Sequence, residues 1–375
     1  MSFPLAPGAT IGVLGGGQLG RMLSMAAARL GFDVVILTPE VNSPAARVSA
    51  RTIVAAYDDL AALDELADRC AVITCEFENV PAQALAHLEQ RGAAVAPGSN
   101  AFAIAQDRLA EKTFLNQAGL PTVRFAEVNG LTDLQAALDR FGAPLLLKSR
   151  RGGYDGKGQA WVRSPGEASA ALHAIGDRPA IVETPANFVR ECAIIAARGR
   201  DGRTALYPLT RSEHEGGILR RTIAPAEAEP SALAAAAAAA DRLLAALGYV
   251  GVLGLELFER ADGSLLANEF APRVHNTGHW TLDGCATDQF EQHIRAIAGW
   301  PLGPTTATAR VEMINLLGEE ADRWAVWASD PSAHLWLYGK GEVRSGRKMG
   351  HVNLLRLLEQ SVQTESPAPG KIDPD

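Results

Sequence analysis

Two glutamates near the middle of the third hundred residues carry the first chemistry the sequence suggests. Residues 252–259 and 264–270 are apolar-rich, strand-like runs joined by Arg260-Ala261-Asp262-Gly263, the length of a hairpin connection. Pairing Glu259 with Ser264 sets Glu256 opposite Ala267 and Gly254 opposite Glu269. The carboxylates then become diagonal neighbours on one face, roughly 7 Å apart. Two acids converging beside small residues repel each other unless a cation lies between them. Hard oxygen donors of this kind suit Mg²⁺ bridging nucleotide phosphates. The plain alternative, two solvated glutamates on an edge hairpin, sits poorly with the apolar flanks. Directly after Glu269 come Arg273, His275 and Asn276, donors beside whatever phosphate the metal holds. His275 and His279 have a spacing that chelates zinc on a helix, but Pro272, Thr277 and Gly278 argue against that helix.

A second chemical segment begins at Lys148, which ends an apolar run and leads into Ser149-Arg150-Arg151-Gly152-Gly153-Tyr154-Asp155-Gly156-Lys157-Gly158-Gln159. Flexible glycines interleaved with cations make a positive segment whose amides can wrap an anion. The spacing is not that of a Walker A loop. A cationic lid over a triphosphate explains the composition better than a solvated hairpin does.

The third is Gly15-x-Gly17-x-x-Gly20, between a strand pattern and a helix pattern, with Glu40 twenty residues beyond. This fits the dinucleotide fingerprint and raises a nicotinamide-linked oxidoreductase as a reading. Any doubly wound sheet, however, needs a tight turn at its first strand–helix junction. Helix N-termini also bind phosphates of many kinds, so another phosphate-bearing ligand is the better expectation.

These segments must be positioned by a framework, and the hydrophobic pattern supplies one. Residues 10–14, 33–37, 71–76 and 93–96 read as strands alternating with helices at 18–30, 58–69 and 82–90, which predicts a parallel sheet covered on both faces. Helices over 105–118 and 131–141, with strands at 145–149 and 159–162, suggest a small α+β unit. Beyond residue 180 the strands lengthen, interrupted by an alanine-rich helix over 231–247. Residues 305–355 read as short strands and turns, and the Pro-rich tail as disordered. The 375 residues carry 35 basic and 43 acidic side chains, a net charge of −8 that offers no general field for nucleic acid or an anionic membrane. An anionic substrate must therefore meet a local cluster of cations. No stretch predicts a membrane span or a signal peptide. Four cysteines without ligand-like spacing read as free thiols in a reducing cytoplasm.

Taken in order, Lys148, the glycine-rich loop, Glu183, Glu191, Glu256 and Asn268-Glu269 resemble an ATP-grasp ligase. The string Ala-Pro-Arg-Val-His-Asn-Thr-Gly-His-Trp-Thr from Ala271 is more specific, as are residues 15–21, Tyr338-Gly339-Lys340 and Gly346-Arg347-Lys348-Met349-Gly350-His351. Together they are similar to the N5-carboxyaminoimidazole ribonucleotide synthetase family over residues 11–351. The resemblance implies an α/β fold of ATP-grasp architecture. It would comprise a Rossmann-like unit (1–104), a central unit with the lid loop (105–185), a catalytic unit (186–302), a C-terminal substrate-binding part (303–364) and a disordered tail (365–375). It further implies ATP phosphates on Arg108, Lys148 and Gly153, Tyr154, Asp155, Gly156, Lys157, Gly158 and Gln159. Adenine would lie at Glu183, ribose at Glu191, and a further nucleotide contact at His214. Mg²⁺ would be held by Glu256 and Glu269 with Asn268 alongside. Aminoimidazole ribonucleotide would meet Gln18, Leu19, Glu76, Tyr154, Asp155, Lys340 and Arg347, and bicarbonate would meet Arg273, His275 and Asn276. The implied assembly is a homodimer.

The implied chemistry is ATP-dependent carboxylation of an amine through carboxyphosphate. Asp155 and His275, or released phosphate, are the candidates for the base, with Lys340 among the catalytic cations. A formate-dependent ribonucleotide transformylase of the same class is the nearest alternative. The oxidoreductase reading leaves the second glycine loop and both glutamates without purpose. A non-catalytic nucleotide binder has no need of Arg273, His275 and Asn276.

Overall fold

Residues 3–152 and 158–357 are described by the computed structural model. The amino-terminal alternation produces β1 (Thr10–Leu14), α1 (Gln18–Arg29), β2 (Asp33–Thr38), β3 (Arg51–Val54), α2 (Leu60–Arg69), β4 (Val72–Cys75) and α3 (Ala82–Gln90). The sheet is parallel in the order β3-β2-β1-β4, and Val95 adds an isolated bridge to Ile73. β3 escapes the sequence pattern because only four residues, one of them buried, separate it from polar flanks.

Where one helix is expected over 105–118, the chain forms two: α4 (Ser99–Ala105) and α5 (Arg108–Gln117). Asp107 ends the continuity, because its carboxylate accepts from the amides of Leu109 and Ala110 as an N-cap. It also takes ion pairs from Arg150 and Arg151, at 2.8 and 3.1 Å. Next come β5 (Phe125–Val128), α6 (Leu131–Phe141), β6 (Leu145–Ser149), β7 (Gln159–Val162), α7 (Ala168–Ala174) and β8 (Ala180–Glu183), with a sheet in the order β5-β8-β6-β7.

The remainder builds one large antiparallel sheet. Its parts are β9 (Phe188–Arg198), β10 (Thr204–Leu206), β11 (Thr210–Glu215), β12 (Ile218–Ala224), α8 (Pro230–Ala246), β13 (Gly251–Arg260), β14 (Leu265–Ala271), α9 (Thr281–Gly284), α10 (Gln289–Ala298), β15 (Ala309–Leu317), α11 (Trp324–Ala328), β16 (Ala333–Leu337) and β17 (Lys348–Leu357). Among the described residues the order is β14-β13-β9-β11-β12-β15-β17-β16, with β10 on β9. The short strands expected over 305–355 are instead nine and ten residues long in β15 and β17. The pattern misleads because Asn315, His351 and Asn353, all fully buried, occupy places where apolar residues would mark a strand.

One continuous core joins the amino-terminal unit to this sheet, running from Leu23 and Phe32 through Phe290 and Ile294 to Val311 and Met313. His293 on α10 pins the same junction. Its Nδ1 accepts from the Val252 amide at 3.0 Å, so Nε2 carries the proton and donates to Thr74 Oγ1 at 2.8 Å. Burial pushes this imidazole down from 6.5 to about 3. The unfolded chain therefore binds the extra proton across that interval. The stability contributed by the neutral ring is complete above its unfolded value and is lost as pH falls, with a limiting slope of about 1.4 kcal/mol per pH unit. Urea midpoints are expected to fall with acid below about pH 6.5 and to fall less steeply in a His293→Gln chain. Parallel slopes in the two proteins would contradict this account.

Candidate active site

The hairpin brings the two acids together more closely than its loop predicts. Leu257 faces Ala267, but the register then shifts, so Glu256 stands directly opposite Glu269 and Gly254 opposite Ala271. The diagonal arrangement expected from the sequence is therefore corrected to a direct pair. Two one-residue shifts cause it: the turn sets Glu259 opposite Leu265 in place of Ser264, and a β-bulge at Asn268 adds one extra residue on β14 that no count from the turn reveals. The open place beside Gly254 is also filled: a Cβ there would lie 2.7 Å from the Cβ of His275. The His275 Nε2 is 3.5 Å from Glu256 Oε1, and its Nδ1 is 2.8 Å from Thr277 Oγ1.

Both carboxylates are hemmed in by protein yet open on one side, with 19% of the Glu256 side chain and 41% of Glu269 exposed. Desolvation and the facing Glu269 push Glu256 up to about 7. Desolvation raises Glu269 too, but Arg108, at 2.9 Å, and Lys148 outweigh it and hold this carboxyl low. Burial and the Arg273 charge keep His275 neutral, well below the usual imidazole range.

Behind this pair lies a second ionic group. Lys148 Nζ is 2.7 Å from Glu183 Oε2, and Lys112 Nζ is 3.4 Å from Glu183 Oε1. Burial alone would raise Glu183, but the two ammonium groups draw it down to about 2. Glu191 on β9 meets His214 on β11 at 2.6 Å. Burial disfavours the imidazolium of His214, but this bond and the nearby Glu256 prevail and raise it. Lys148 pairs with Gln159 across β6 and β7, and the Gly158 carbonyl accepts from the Ser149 amide. Gly153, Tyr154, Asp155, Gly156 and Lys157 lie outside the described residues.

The glycine turn after β1 holds a protein carboxylate. Gly17 donates to Glu76 Oε1 at 2.6 Å, and Gly15, at φ +115°, could carry no Cβ without meeting that oxygen at 2.5 Å. The amide that a dinucleotide pyrophosphate would need is thus already engaged. Glu40 is exposed, with its own amide turned to Thr38 Oγ1. Burial raises Glu76 against the pull of the Gly17 amide and Arg273. Gln18 opens α1 half-buried, whereas the Leu19 side chain belongs to the core and leaves only its backbone for a ligand. Near Glu76 stands Lys340, whose Nζ donates to the Lys348 carbonyl at 2.6 Å, and near Lys340 in turn is Arg347, which donates to the Glu342 carbonyl at 2.8 Å. Burial and Arg347 bring Lys340 down to about 8. Arg273 pairs with Glu78 at 2.6 Å. Among the described residues, both amide atoms of Asn276 are buried without a hydrogen-bond partner, as a ligand-facing amide would be.

Thus Arg108, Lys148, Glu183, Glu256 and Glu269 converge on one cleft, flanked by Glu191 with His214 and by His275. The backbone carbonyl of Asn268 accepts from Lys112 Nζ at 2.9 Å. Four participants were not foreseen in these roles: Glu78, Glu111, Lys112 and Lys348. Glu78 follows Glu76 by two residues, a spacing that hinted at it. Glu111 and Lys112 look like surface positions on a helix and are 3% exposed each.

Three family descriptions match successive parts of the chain: a ribonucleotide synthetase preATP-grasp domain at residues 8–106, an ATP-grasp domain at 113–290, and a phosphoribosylaminoimidazole carboxylase C-terminal domain at 312–364. The N5-carboxyaminoimidazole ribonucleotide synthase of Brucella melitensis biotype 1 is 51% identical, over 94% of this chain and 98% of its own. The crystal structure of the Thermus thermophilus synthetase superimposes with a TM-score of 0.86 at 46% identity, covering 92% of this chain and 93% of that one. An Aspergillus clavatus synthase, solved with ADP and 5-aminoimidazole ribonucleotide, gives 0.87 at 33% identity over 93% and 94%. Among the described residues no helix is long and apolar enough to cross a membrane. With both acids on one face, the cations gathered around them and relatives matched end to end, the chain belongs to the N5-carboxyaminoimidazole ribonucleotide synthase family of ATP-grasp ligases.

Proposed function

We propose that the protein carboxylates the exocyclic amine of 5-aminoimidazole ribonucleotide with bicarbonate, through carboxyphosphate, at the expense of ATP. The observation that carries this reading is the convergence of Glu256 and Glu269 beside Lys148, Arg108, Arg273 and His275. The products are N5-carboxyaminoimidazole ribonucleotide, ADP and phosphate. Its work as a cytoplasmic homodimer is part of the same proposal, supported for the compartment by cysteines that are all free thiols.

The donor set fits Mg²⁺. Two carboxylates directly opposite each other, one held protonatable near neutrality by the other, are the oxygen ligands of an ion that also takes phosphate oxygens. Glu256 and Glu269 would hold Mg²⁺, which would supply charge neutralisation for the ATP phosphates. Arg108 and Lys148 offset the remaining negative charge of the triphosphate, and Glu183 orients Lys148 toward it. Glu191 and His214 receive the nucleoside end.

Bicarbonate is a poor electrophile and an anion, so its approach to the γ-phosphate is opposed. Unit charges about 4 Å apart repel by roughly 1 kcal/mol in water and severalfold more in a protein cleft. Arg273 and the Asn276 amide hold bicarbonate against that repulsion and stabilise charge as it moves to the leaving oxygens. His275, held neutral at the same place, offers a ring nitrogen as a hydrogen-bond partner and adds no charge. Glu76, Lys340 and Arg347 seat the ribonucleotide so that its amine faces the activated carboxyl.

ADP release should require ATP, Mg²⁺, bicarbonate and aminoimidazole ribonucleotide together, with labelled bicarbonate appearing in an acid-labile product. Turnover that ignores bicarbonate but needs formate and glycinamide ribonucleotide would overturn the assignment.

A further inference from the structure

We propose that Glu111 and Lys112 are positioning residues whose grip on the β14 bulge turns Glu269 onto the same face as Glu256. The inference rests on the ligase reading only for the identity of what the two carboxylates hold.

Consider the hairpin without its bulge. Leu257 faces Ala267, so an uninterrupted ladder would continue with Asn268 opposite Glu256 and Glu269 opposite Leu255. Alternate residues point to opposite faces, and Glu269 would therefore leave the cleft altogether. The extra residue at Asn268 is what restores it. A bulged residue loses its ladder partner, so something outside the ladder must satisfy the backbone there.

β14 is the terminal strand of the sheet, with β13 on one side and α5 with the turn that follows it on the other. Backbone groups on that outer side find their partners there. Ala267 donates to the Pro121 carbonyl at 2.7 Å, the Asn268 carbonyl accepts from Lys112 Nζ at 2.9 Å, and the Phe270 amide donates to Glu111 Oε1 at 2.8 Å. The last two bonds bracket Glu269. Lys112 also reaches Glu183, which holds Lys148, so one ammonium ties the bulge to the phosphate-side cation. Burying a lysine and a glutamate at adjacent helical positions is costly unless each finds a partner. Here each partner is the backbone of the strand that carries a metal acid. The Arg108 ion pair to Glu269 comes from the same helix, one turn earlier.

The test uses the full chain and Mn²⁺ as probe, titrated by electron paramagnetic resonance with ADP present. Lys112→Met and Glu111→Leu are expected to weaken Mn²⁺ in the ternary complex by about 10- to 100-fold, the range for residues that support metal ligands. Glu111→Gln keeps the acceptor and should bind near the wild-type level. A purely structural role would lower thermal stability and leave Mn²⁺ affinity unmoved. Folded Lys112→Met and Glu111→Leu chains with wild-type affinity overturn the inference. If neither folds, hydrogen exchange on the wild-type chain decides. Protection of the Phe270 amide at the level of β13 supports the grip, and exchange at loop rates overturns it. A wild-type chain that takes up no Mn²⁺ with ADP would instead overturn the ligase reading, and the exchange result would then judge the bulge separately.

Discussion

Glu269→Gln, and separately Glu256→Gln, is expected to lower kcat/KM by about 10³-fold, on the order of 4 kcal/mol of transition-state stabilisation. An amide in place of either carboxylate removes half the charge with which the opposed pair would hold Mg²⁺, and without the metal the phosphates face bicarbonate with less compensation. The variants should differ in one respect. Glu269 is ion-paired to Arg108, so its replacement also removes one carboxylate that competes with the phosphates for that guanidinium. Glu256 meets the neutral imidazole of His275 at 3.5 Å. Glu269→Gln should therefore retain the tighter binding of metal-free ADP of the two. Steady-state rates across a Mg²⁺ series, with calorimetric ADP titrations, check both statements. Activity within about tenfold of wild type at ordinary Mg²⁺ would remove these residues from the metal site.

The second large effect is expected at a residue that touches no substrate. In Gly254→Ala the new methyl would lie 2.7 Å from the Cβ and 2.8 Å from the Cγ of His275, well inside contact distance. Backbone conformation does not demand glycine there, since Gly254 is not among the residues at positive φ. The close approach does. The imidazole must shift away from Glu256, and displacement of a positioned group by about 1 Å can cost about 10²-fold in rate. The loss should fall on kcat more than on KM for ATP, because the imidazole belongs to the end of the site proposed for bicarbonate. A variant with unchanged kcat would show that His275 needs no fixed position.

How much of this could be read from residue order depends on what kind of physics set each feature. The parallel sheet and the helices α3 and α6 follow from apolar periodicity, and the structure keeps them at the expected residues. The two acids were recognisable because residue type and strand alternation put them near one another. Their direct opposition was not, because the bulge is enforced by Lys112 and Glu111, more than 150 residues away in the chain. Long-range partners leave no local mark. The division between α4 and α5 could have been seen in Asp107, an N-cap residue in the middle of an apparently continuous pattern. β15 and β17 hide for the opposite reason: their buried polar residues answer to tertiary partners, such as Tyr338 on His351 and Asp283 on Asn353. Glu76 was assignable to a substrate only through family resemblance. Nothing in the glycine spacing announces that a carboxylate will enter the turn.

The bulge also bears on how such a hairpin can be moved between proteins. A designer who transplants β13 and β14 alone, with every side chain intact, would carry over an extra residue with nothing to hold it. The strand could relax by one position, turning Glu269 to the side of Leu255 and leaving Asn268 where an acid was wanted. The smallest portable piece is therefore the hairpin together with residues 108–121, a pair of segments far apart in the chain but inseparable in use. Recombination breakpoints placed between them should yield folded chimaeras that have lost their metal, unless both parents bring the same helix.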